Sequence, residues 1–199
     1  SGRSRAAIAS RITRTSTFQR STDLDDFVPV RARLRDGREI VVRAVRDGDR
    51  DGFQAALRRM SEQSRYSRFM SPVKELSPQL LERAIRPDPG RELQLVAVDA
   101  SGAPEQIIGG ARYSAGPGSK DCEFAVAVTD AWQGLGIARH LLEALIRTAR
   151  ERGLERMEGY ILASNTGMLR LASRLGFVPV PSPEGPGVRL VRRDLGDGA

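Results

Sequence analysis

The chain has 199 residues, of which 40% are hydrophobic and 29% charged, and its formal net charge is +7. This balance is ordinary for a globular domain, and no apolar run reaches the roughly 18–20 residues of a membrane-spanning helix. A single cysteine excludes an internal disulfide framework, and one cysteine with one histidine cannot build a zinc site. We therefore expect a cytoplasmic protein without a metal or a membrane partner.

Most of the positive charge lies at the start of the chain. Residues 1–22 contain five arginines and no acidic residue, so the remaining residues carry a net charge of only +2. The serine- and arginine-rich composition without clear periodicity is more typical of a disordered tail than of a nucleic-acid-binding arm. We expect a basic, disordered arm over residues 1–27, a folded domain over 28–195 and a tail over 196–199, with no nucleic acid partner.

The first part of the folded region predicts a hairpin and two helices. Asp36-Gly37 tolerates the positive φ of a tight turn and divides residues 30–44 into two strand-like runs. Candidate N-caps mark the helix starts. The helices are expected over 48–61, capped by Asp47, and over 77–86, capped by Ser77, with irregular or briefly helical chain over 64–76.

The later elements mix consecutive strands with helical crossovers. Strands are expected at 93–98, 107–113, 122–128, 157–162, 177–180 and 188–194, and helices at 136–150 and 165–175. This order differs from the regular strand–helix alternation of a Rossmann protein, and it predicts an α+β fold with a mixed sheet. No internal repeat or interior linker indicates a second domain.

One strand, loop and helix over residues 122–150 suggest the chemistry. Gly134 and Gly136 stand just before the helix, where they let the backbone approach a ligand closely. The first amides of a helix lack intrahelical partners, and the helix dipole is positive there. The loop therefore predicts a site for a phosphate or diphosphate.

Two other phosphate-binding loops fit this stretch poorly. A Walker-type loop needs Lys and then Ser or Thr after its last glycine, where this chain has Ile137 and Ala138. A dinucleotide-binding loop wants a third small residue where this chain has Arg139, and it normally opens the first strand–helix unit. Neither class is expected.

The remaining pattern, Gln133-x-x-Gly136-x-Ala138, resembles the signature of the GNAT superfamily of N-acetyltransferases, whose loop holds the acetyl-CoA diphosphate. The order of elements over residues 30–195 is similar to the GNAT fold, and Leu175-Gly176-Phe177 is similar to the family's terminal Leu-Gly-Phe. The resemblance implies a mixed seven-stranded sheet flanked by about four helices, with acetyl-CoA as co-substrate.

Further segments resemble the acetyltransferase domain of bacterial Pat-type protein lysine acetyltransferases. These are Leu34–Gly37, Ser64–Pro72, Glu75–Pro78 and Asn165–Ala172. The resemblance implies a protein partner with a reactive lysine, and acyl-CoA synthetases are one class of such acceptors. Many Pat enzymes also carry a large acyl-CoA synthetase-like domain, which this sequence does not contain, so their regulation is not carried over.

Acetyl transfer to lysine needs a base, because only about one lysine amine in 2,500 is neutral at pH 7. Glu123 is the candidate, since a carboxylate within an apolar strand is costly unless it faces a cleft, and in the Pat-type pattern a Glu at this spacing is the general base. The alternatives are a solvated strand face or a pair with an arginine. Ala125 and Ala127 share the face of Glu123, where they leave room for a ligand or let a helix pack closely.

The resemblance also implies the residues that bind acetyl-CoA. The backbones of Val126 and Val128 would bind the thioester and pantetheine, and the Val126 amide would polarise the acetyl carbonyl. Asn165 would bond the pantetheine arm. The loop residues assigned to the co-substrate are Gln133, Gly134, Gly136, Ile137, Ala138 and Arg139. One departure is Ala172, which stands where many GNAT enzymes have a tyrosine taken to protonate the CoA thiolate.

The sequence thus favours an acetyl-CoA-dependent N-acetyltransferase that acts on a protein lysine by direct attack. A small-molecule amine or an N-terminal α-amine as acceptor stays open, as does a non-catalytic acyl-CoA-binding module. A nucleophilic Cys122–His140 pair is not expected, because Cys122 faces away from Glu123 on the alternating strand.

Overall fold

A computed structural model describes residues 27–99 and 101–196. One mixed sheet with helices on both faces forms its centre. Its strands are β1 (Val30–Arg33), β2 (Glu39–Ala44), β3 (Glu92–Asp99), β4 (Gln106–Ala115), β5 (Asp121–Val128), β6 (Arg156–Leu162), β7 (Val178–Val180) and β8 (Val188–Asp194). The α-helices are α1 (Arg50–Arg58), α2 (Glu62–Phe69), α3 (Pro78–Ile85), α4 (Ile137–Glu151) and α5 (Thr166–Arg174).

The predicted basic arm over 1–27 and tail over 196–199 lie outside the described residues, except for one residue each. The predicted α+β fold is confirmed, but the sheet has eight strands where seven were expected. Both arms of the first hairpin join the sheet, in the order β1-β2-β3-β4-β5-β6-β8-β7. This order makes every neighbouring pair antiparallel except β5 and β6, which α4 connects in parallel.

The described residues form five α-helices where about four were expected. The additional helix is α2, whose first turn is closed by the Ser61 hydroxyl accepting from the backbone amide of Ser64. The predicted cap at Asp47 is wrong: α1 begins at Arg50, after one turn of 3₁₀ helix over Asp47–Asp49. The predicted cap at Ser77 agrees with the structure, since its hydroxyl accepts from the amide of Leu80.

The two faces of the sheet are covered by different helices. Ile108 of β4 belongs to the large core that contains Leu141, Leu142 and Leu145 of α4. Its neighbour Ile107 points to the opposite face and packs with residues of α1. Because consecutive strand residues alternate between faces, α4 and α1 clamp the centre of the sheet between them. This central region carries the parallel pair β5 and β6.

Strands β5 and β6 separate after a short paired stretch. Their register covers only the pairs Asp121 with Arg156, Cys122 with Met157 and Glu123 with Glu158. The next position on β6 is Gly159, and three ring atoms of Phe124 lie less than 3.0 Å from where a Cβ on that glycine would stand. The Phe124 ring therefore occupies the space over the β6 backbone at the point of separation. Beyond it, the edge of β5 is open.

We expect Gly159→Ala to disturb this separation point. A methyl group would collide with the Phe124 ring, which also packs against Phe177 with ring centroids 5.0 Å apart. Overpacking of this kind costs about 2 kcal/mol of unfolding free energy, measurable by urea denaturation. The control is Gly167→Ala in α5, where a Cβ meets nothing closer than 4.0 Å and a stability gain is expected. Equal effects of the two substitutions would contradict the role of the Phe124 ring.

A buried ion pair joins β2 to the start of α1. The Arg43 guanidinium donates to both carboxylate oxygens of Asp49 at 2.8 Å, and it also donates to Glu105. Burial alone would raise the pKa of Asp49, but hydrogen bonds from Arg43 and from the Arg46 amide outweigh it, so the pKa is lowered. Asp49 is thereby occupied, which explains why its side chain does not cap α1.

We expect Asp49→Asn to lower the unfolding free energy by about 3 kcal/mol at pH 7, because Arg43 would lose its buried partner. A lowered pKa gives stability that is present above the ordinary aspartate pKa and is lost as the pH falls through the lowered value. The difference between wild type and variant should therefore shrink below about pH 4. Urea denaturation of wild type and variant at pH 7 and below about pH 4 measures this difference. Glu82→Gln, which breaks exposed ion pairs with Arg50 and Arg86, should lower the unfolding free energy much less than Asp49→Asn does; an equal loss would contradict the role of burial.

Candidate active site

A cavity of about 440 Å³ lies between the sheet and helices α1 to α3. Glu123, Ala125 and Ala127 of β5 line its floor. The apolar walls are formed by Phe53, Leu57, Met60, Phe69, Leu76 and Leu80. The small side chains of β5 thus face an open space rather than a tightly packed helix.

The Glu123 side chain is exposed to this cavity. Within residues 27–99 and 101–196 its carboxylate neither accepts a hydrogen bond nor pairs with an arginine. Glu158, directly opposite on β6, differs in this respect, because it accepts from Arg192 at 2.6 Å. Glu123 is therefore the carboxylate of the β5–β6 pair that remains free to accept a proton.

The glycine loop presents a row of unpaired backbone amides. Gly134 and Gly136 have φ values of +76° and +100°, and a Cβ on either would meet nothing within 4 Å. In the described part of the chain, no amide from Gly134 to Arg139 donates to a protein acceptor, and the first bond of α4 runs from the His140 amide to the Gly136 carbonyl. Six consecutive donors at a positive helix end fit the diphosphate of a CoA thioester.

The open edge of β5 leads from this loop toward Glu123. The Thr129 amide donates to the Ile108 carbonyl of β4. This bond fixes which residue pairs between β4 and β5 are hydrogen-bonded and which are not, since the two kinds alternate along an antiparallel pair. By this alternation the amides of Val126 and Val128 point away from β4, toward the side from which β6 has separated. The edge therefore offers these two amides to an extended ligand.

Three other residues assigned to acetyl-CoA have partners within the protein. The Gln133 amide group donates to the Ser64 hydroxyl and to the Val128 carbonyl, both at 3.1 Å, and so ties the loop to α2 and β5. Arg139 pairs with Glu143 on the exposed face of α4. The Asn165 side-chain oxygen accepts from the Met168 amide and caps α5.

The two aliphatic loop residues differ in exposure. The Ile137 side chain is buried in the core, so only its backbone is available to a ligand. Ala138 is half-buried on the first turn of α4. Their contribution to a diphosphate site would come through their amides, together with those of Gly134 and Gly136.

Two sets of residues were not identified from the sequence: those that fix the position of the glycine loop and the arginines that line the cavity. The Asp130 carboxylate accepts from the Ser61 amide and from the hydroxyls of Ser61 and Ser64, which locks the start of α2 to the turn before the loop. Arg68 and Arg112 line the cavity beside Glu123. The similarity of residues 64–72 to Pat-type sequences was the available signal, but it gave no role to single residues.

The Cys122 thiol is placed on the other face of β5 from Glu123. It is 3% exposed, and burial raises its pKa to about 12, with the nearby carboxylates of Asp121 and Glu158 adding to the rise. A thiol with this pKa is not a thiolate nucleophile at neutral pH.

Ala172, at the position where many GNAT enzymes have a tyrosine, is fully buried.

The residues that the structure describes contain no group of three or more histidine, cysteine, aspartate or glutamate side chains placed to hold a metal ion. Across the same ranges, none of the helices combines the length and the apolar character required to cross a bilayer.

The fold and the loop define an acetyl-transferring enzyme of the GNAT class. Residues 55–177 match the model of the acetyltransferase (GNAT) family, and the chain belongs to that family. Members of the family use acetyl-CoA as co-substrate. The predicted GNAT membership is thus confirmed.

Individual relatives agree with this assignment. An acetyltransferase of Pseudomonas aeruginosa is 34% identical over 151 residues, which cover 76% of this chain and 81% of that protein. The acetyltransferase Pat of Mycolicibacterium smegmatis is 31% identical over 85% of this chain but only 47% of its own length, so this chain spans about half of it. The crystal structure of the GNAT domain of PAT from S. lividans superposes with a TM-score of 0.75 at 28% identity, covering 83% of this chain and 96% of that domain.

Proposed function

We propose that this enzyme transfers the acetyl group of acetyl-CoA directly to the ε-amine of a protein lysine, with Glu123 as the general base. The observation that carries the proposal is a track of unpaired groups along β5 and the loop that follows it: the free carboxylate of Glu123 in the cavity, the open β5 edge and the loop amides. Cytoplasmic location and the absence of a metal requirement remain part of this proposal.

The track supports a division of binding between its parts. The amides from Gly134 to Ala138 would hold the diphosphate, and the β5 edge would hold pantetheine along Val126 and Val128. With Gln133 and Asn165 held by protein partners, their role would be to fix the loop and the start of α5. Arg139, on the solvent side, would act through its amide or its charge.

This arrangement supports direct transfer. The amine nitrogen attacks the acetyl carbonyl carbon, a carbon–nitrogen bond forms, the carbon–sulfur bond breaks, and Glu123 takes the amine proton, directly or through water. The Val126 amide would donate to the developing oxyanion, a contribution of about 3 kcal/mol to transition-state stabilisation. CoA leaves as the thiolate and takes its proton from solvent, since Ala172 offers none.

Two observations support a protein lysine as acceptor. The chain is similar to the acetyltransferase Pat of M. smegmatis and to the GNAT domain of S. lividans PAT, and its resemblance to Pat-type protein lysine acetyltransferases implies a lysine acceptor. The apolar walls of the cavity suit the aliphatic stem of a lysine, with its amine directed toward Glu123 at the floor. Acyl-CoA synthetases are the acceptors that the Pat resemblance suggests first.

Labelled acetyl-CoA tests the acceptor class. The enzyme is offered a cell lysate and, separately, a panel of small amines and peptides with free N-termini. We expect label in protein bands, on lysine side chains identified by mass spectrometry. Label confined to small products or to N-terminal amines would overturn the lysine assignment, and a Glu123→Gln enzyme supplies the background for both arms.

A further inference from the structure

The cavity beside Glu123 carries more positive than negative charge. Its charged lining residues are Arg68, Arg83, Arg112 and Glu123. Arg112 is compensated, because it donates to Glu92 at 2.6 Å. In the described ranges, Arg68 and Arg83 form no ion pair. Within the part of the chain that the structure describes, the cavity lining therefore holds two unpaired guanidinium groups and one unpaired carboxylate.

Arg68 is the less solvated of the two. It lies in the last turn of α2, half-buried, with its guanidinium carbon 4.9 Å from the Phe69 ring centroid. Burial and, to a smaller extent, the charge of Arg112 lower the pKa of Arg68 to about 10, although the charge of Glu123 opposes the fall. The group is thus still charged at neutral pH, and none of its five donors has a protein acceptor within the described residues.

An acceptor amine adds to this imbalance. It enters mostly as an ammonium ion, because alkyl amines have pKa values near 10.4. Like charges repel more strongly in a partly dry cavity than in water. A plain alkyl amine would therefore enter a site that already holds excess positive charge. An acceptor that also carries an anion would correct the imbalance and satisfy the donors of Arg68.

We infer that Arg68, with the exposed Arg83 at the cavity rim, selects acceptors that carry a carboxylate next to the amine that receives the acetyl group. A planar guanidinium binds both oxygens of a carboxylate at once, which gives this recognition a fixed geometry. In a protein acceptor the carboxylate is an acidic side chain beside the lysine, and in a small acceptor it belongs to the same molecule. The inference rests on the proposed function and narrows its substrate class.

Two matched pairs of acceptors test the inference. The first pair is a capped peptide with Lys-Glu and the same peptide with Lys-Gln. The second is L-lysine and cadaverine, which differ by the carboxylate. We expect kcat/KM to be about 10-fold or more higher for the carboxylate member of at least one pair. Arg68→Gln should bring that ratio to within about 2-fold, and Arg68→Lys should retain part of it. Arg58→Gln, an exposed arginine of α1 outside the cavity, should keep the wild-type ratio.

The outcomes distinguish a failure of the carboxylate inference from a failure of the proposed function. Discrimination in the peptide pair assigns the carboxylate to a neighbouring residue, and discrimination in the lysine–cadaverine pair assigns it to a small acceptor. Equal kcat/KM within both pairs, or a preference that survives Arg68→Gln, overturns the inference while the acetyltransferase function stands. If none of the four acceptors is acetylated, both the proposed amine acceptors and the inference are overturned.

Discussion

Glu123→Gln should lower kcat/KM for the amine acceptor by a factor of about 10³, while the Kd for acetyl-CoA changes less than about 3-fold. The substitution keeps the size of the side chain but removes its ability to accept a proton, and general-base catalysis contributes about 10²–10⁴. The carboxylate has no protein partner within the described residues, so no ion pair is broken by the change. Steady-state kinetics with varied amine, together with calorimetry of acetyl-CoA binding, measure the two quantities.

Glu158→Gln is the matched control for this substitution. Glu158 lies opposite Glu123 in the β5–β6 register, but Arg192 holds it. We expect its kcat/KM to stay within about 3-fold of wild type. The pH–rate profiles add a second criterion, because the acidic limb of the wild-type profile should be absent in Glu123→Gln. Equal rates and equal profiles for wild type and Glu123→Gln would remove Glu123 from the mechanism.

Gly136→Val should weaken acetyl-CoA binding by about 100-fold, which corresponds to about 2.7 kcal/mol. Gly136 has φ +100°, which a valine adopts only with strain, and its side chain would project into the open space that the unpaired amides face. Both effects act on the loop that is proposed to hold the diphosphate. Isothermal titration calorimetry with acetyl-CoA measures the loss.

Gly153→Val separates backbone strain from loss of the binding site. Gly153 follows the other end of α4, has φ +77° and also has no neighbour within 4 Å of a Cβ. We expect a similar loss of unfolding free energy but an unchanged Kd for acetyl-CoA. If Gly136→Val left the affinity unchanged, or if both valines weakened binding equally, the loop would be misassigned.

Local sequence signals predicted those parts of the fold that depend on local chemistry. The Asp36-Gly37 turn, the Ser77 cap and the glycines before α4 each act within a few residues, so they are visible in a single sequence. The alternation of β5 likewise indicated that Glu123 and the two small alanines share one face, and the structure places them together in the cavity.

Long-range partners could not be predicted in the same way. Asp49 looked like an ordinary helix residue, because its partner Arg43 is supplied by a strand of the sheet. The start of α2 depends on Ser61, and Asp130, 69 residues away, reinforces it, so the segment looked irregular in sequence. The separation of β5 from β6 depends on the Phe124 ring and Gly159, which only the folded sheet brings together. Arg68 faces the cavity for the same reason.

A crystal structure of the enzyme with acetyl-CoA tests the central claim most directly. We expect diphosphate oxygens within about 3.2 Å of the amides from Gly134 to Ala138, pantetheine along the open edge of β5, and the acetyl carbonyl at the Val126 amide on the side of Glu123. A CoA molecule bound away from the glycine loop, or an acetyl group that the cavity floor at Glu123 does not face, would contradict it.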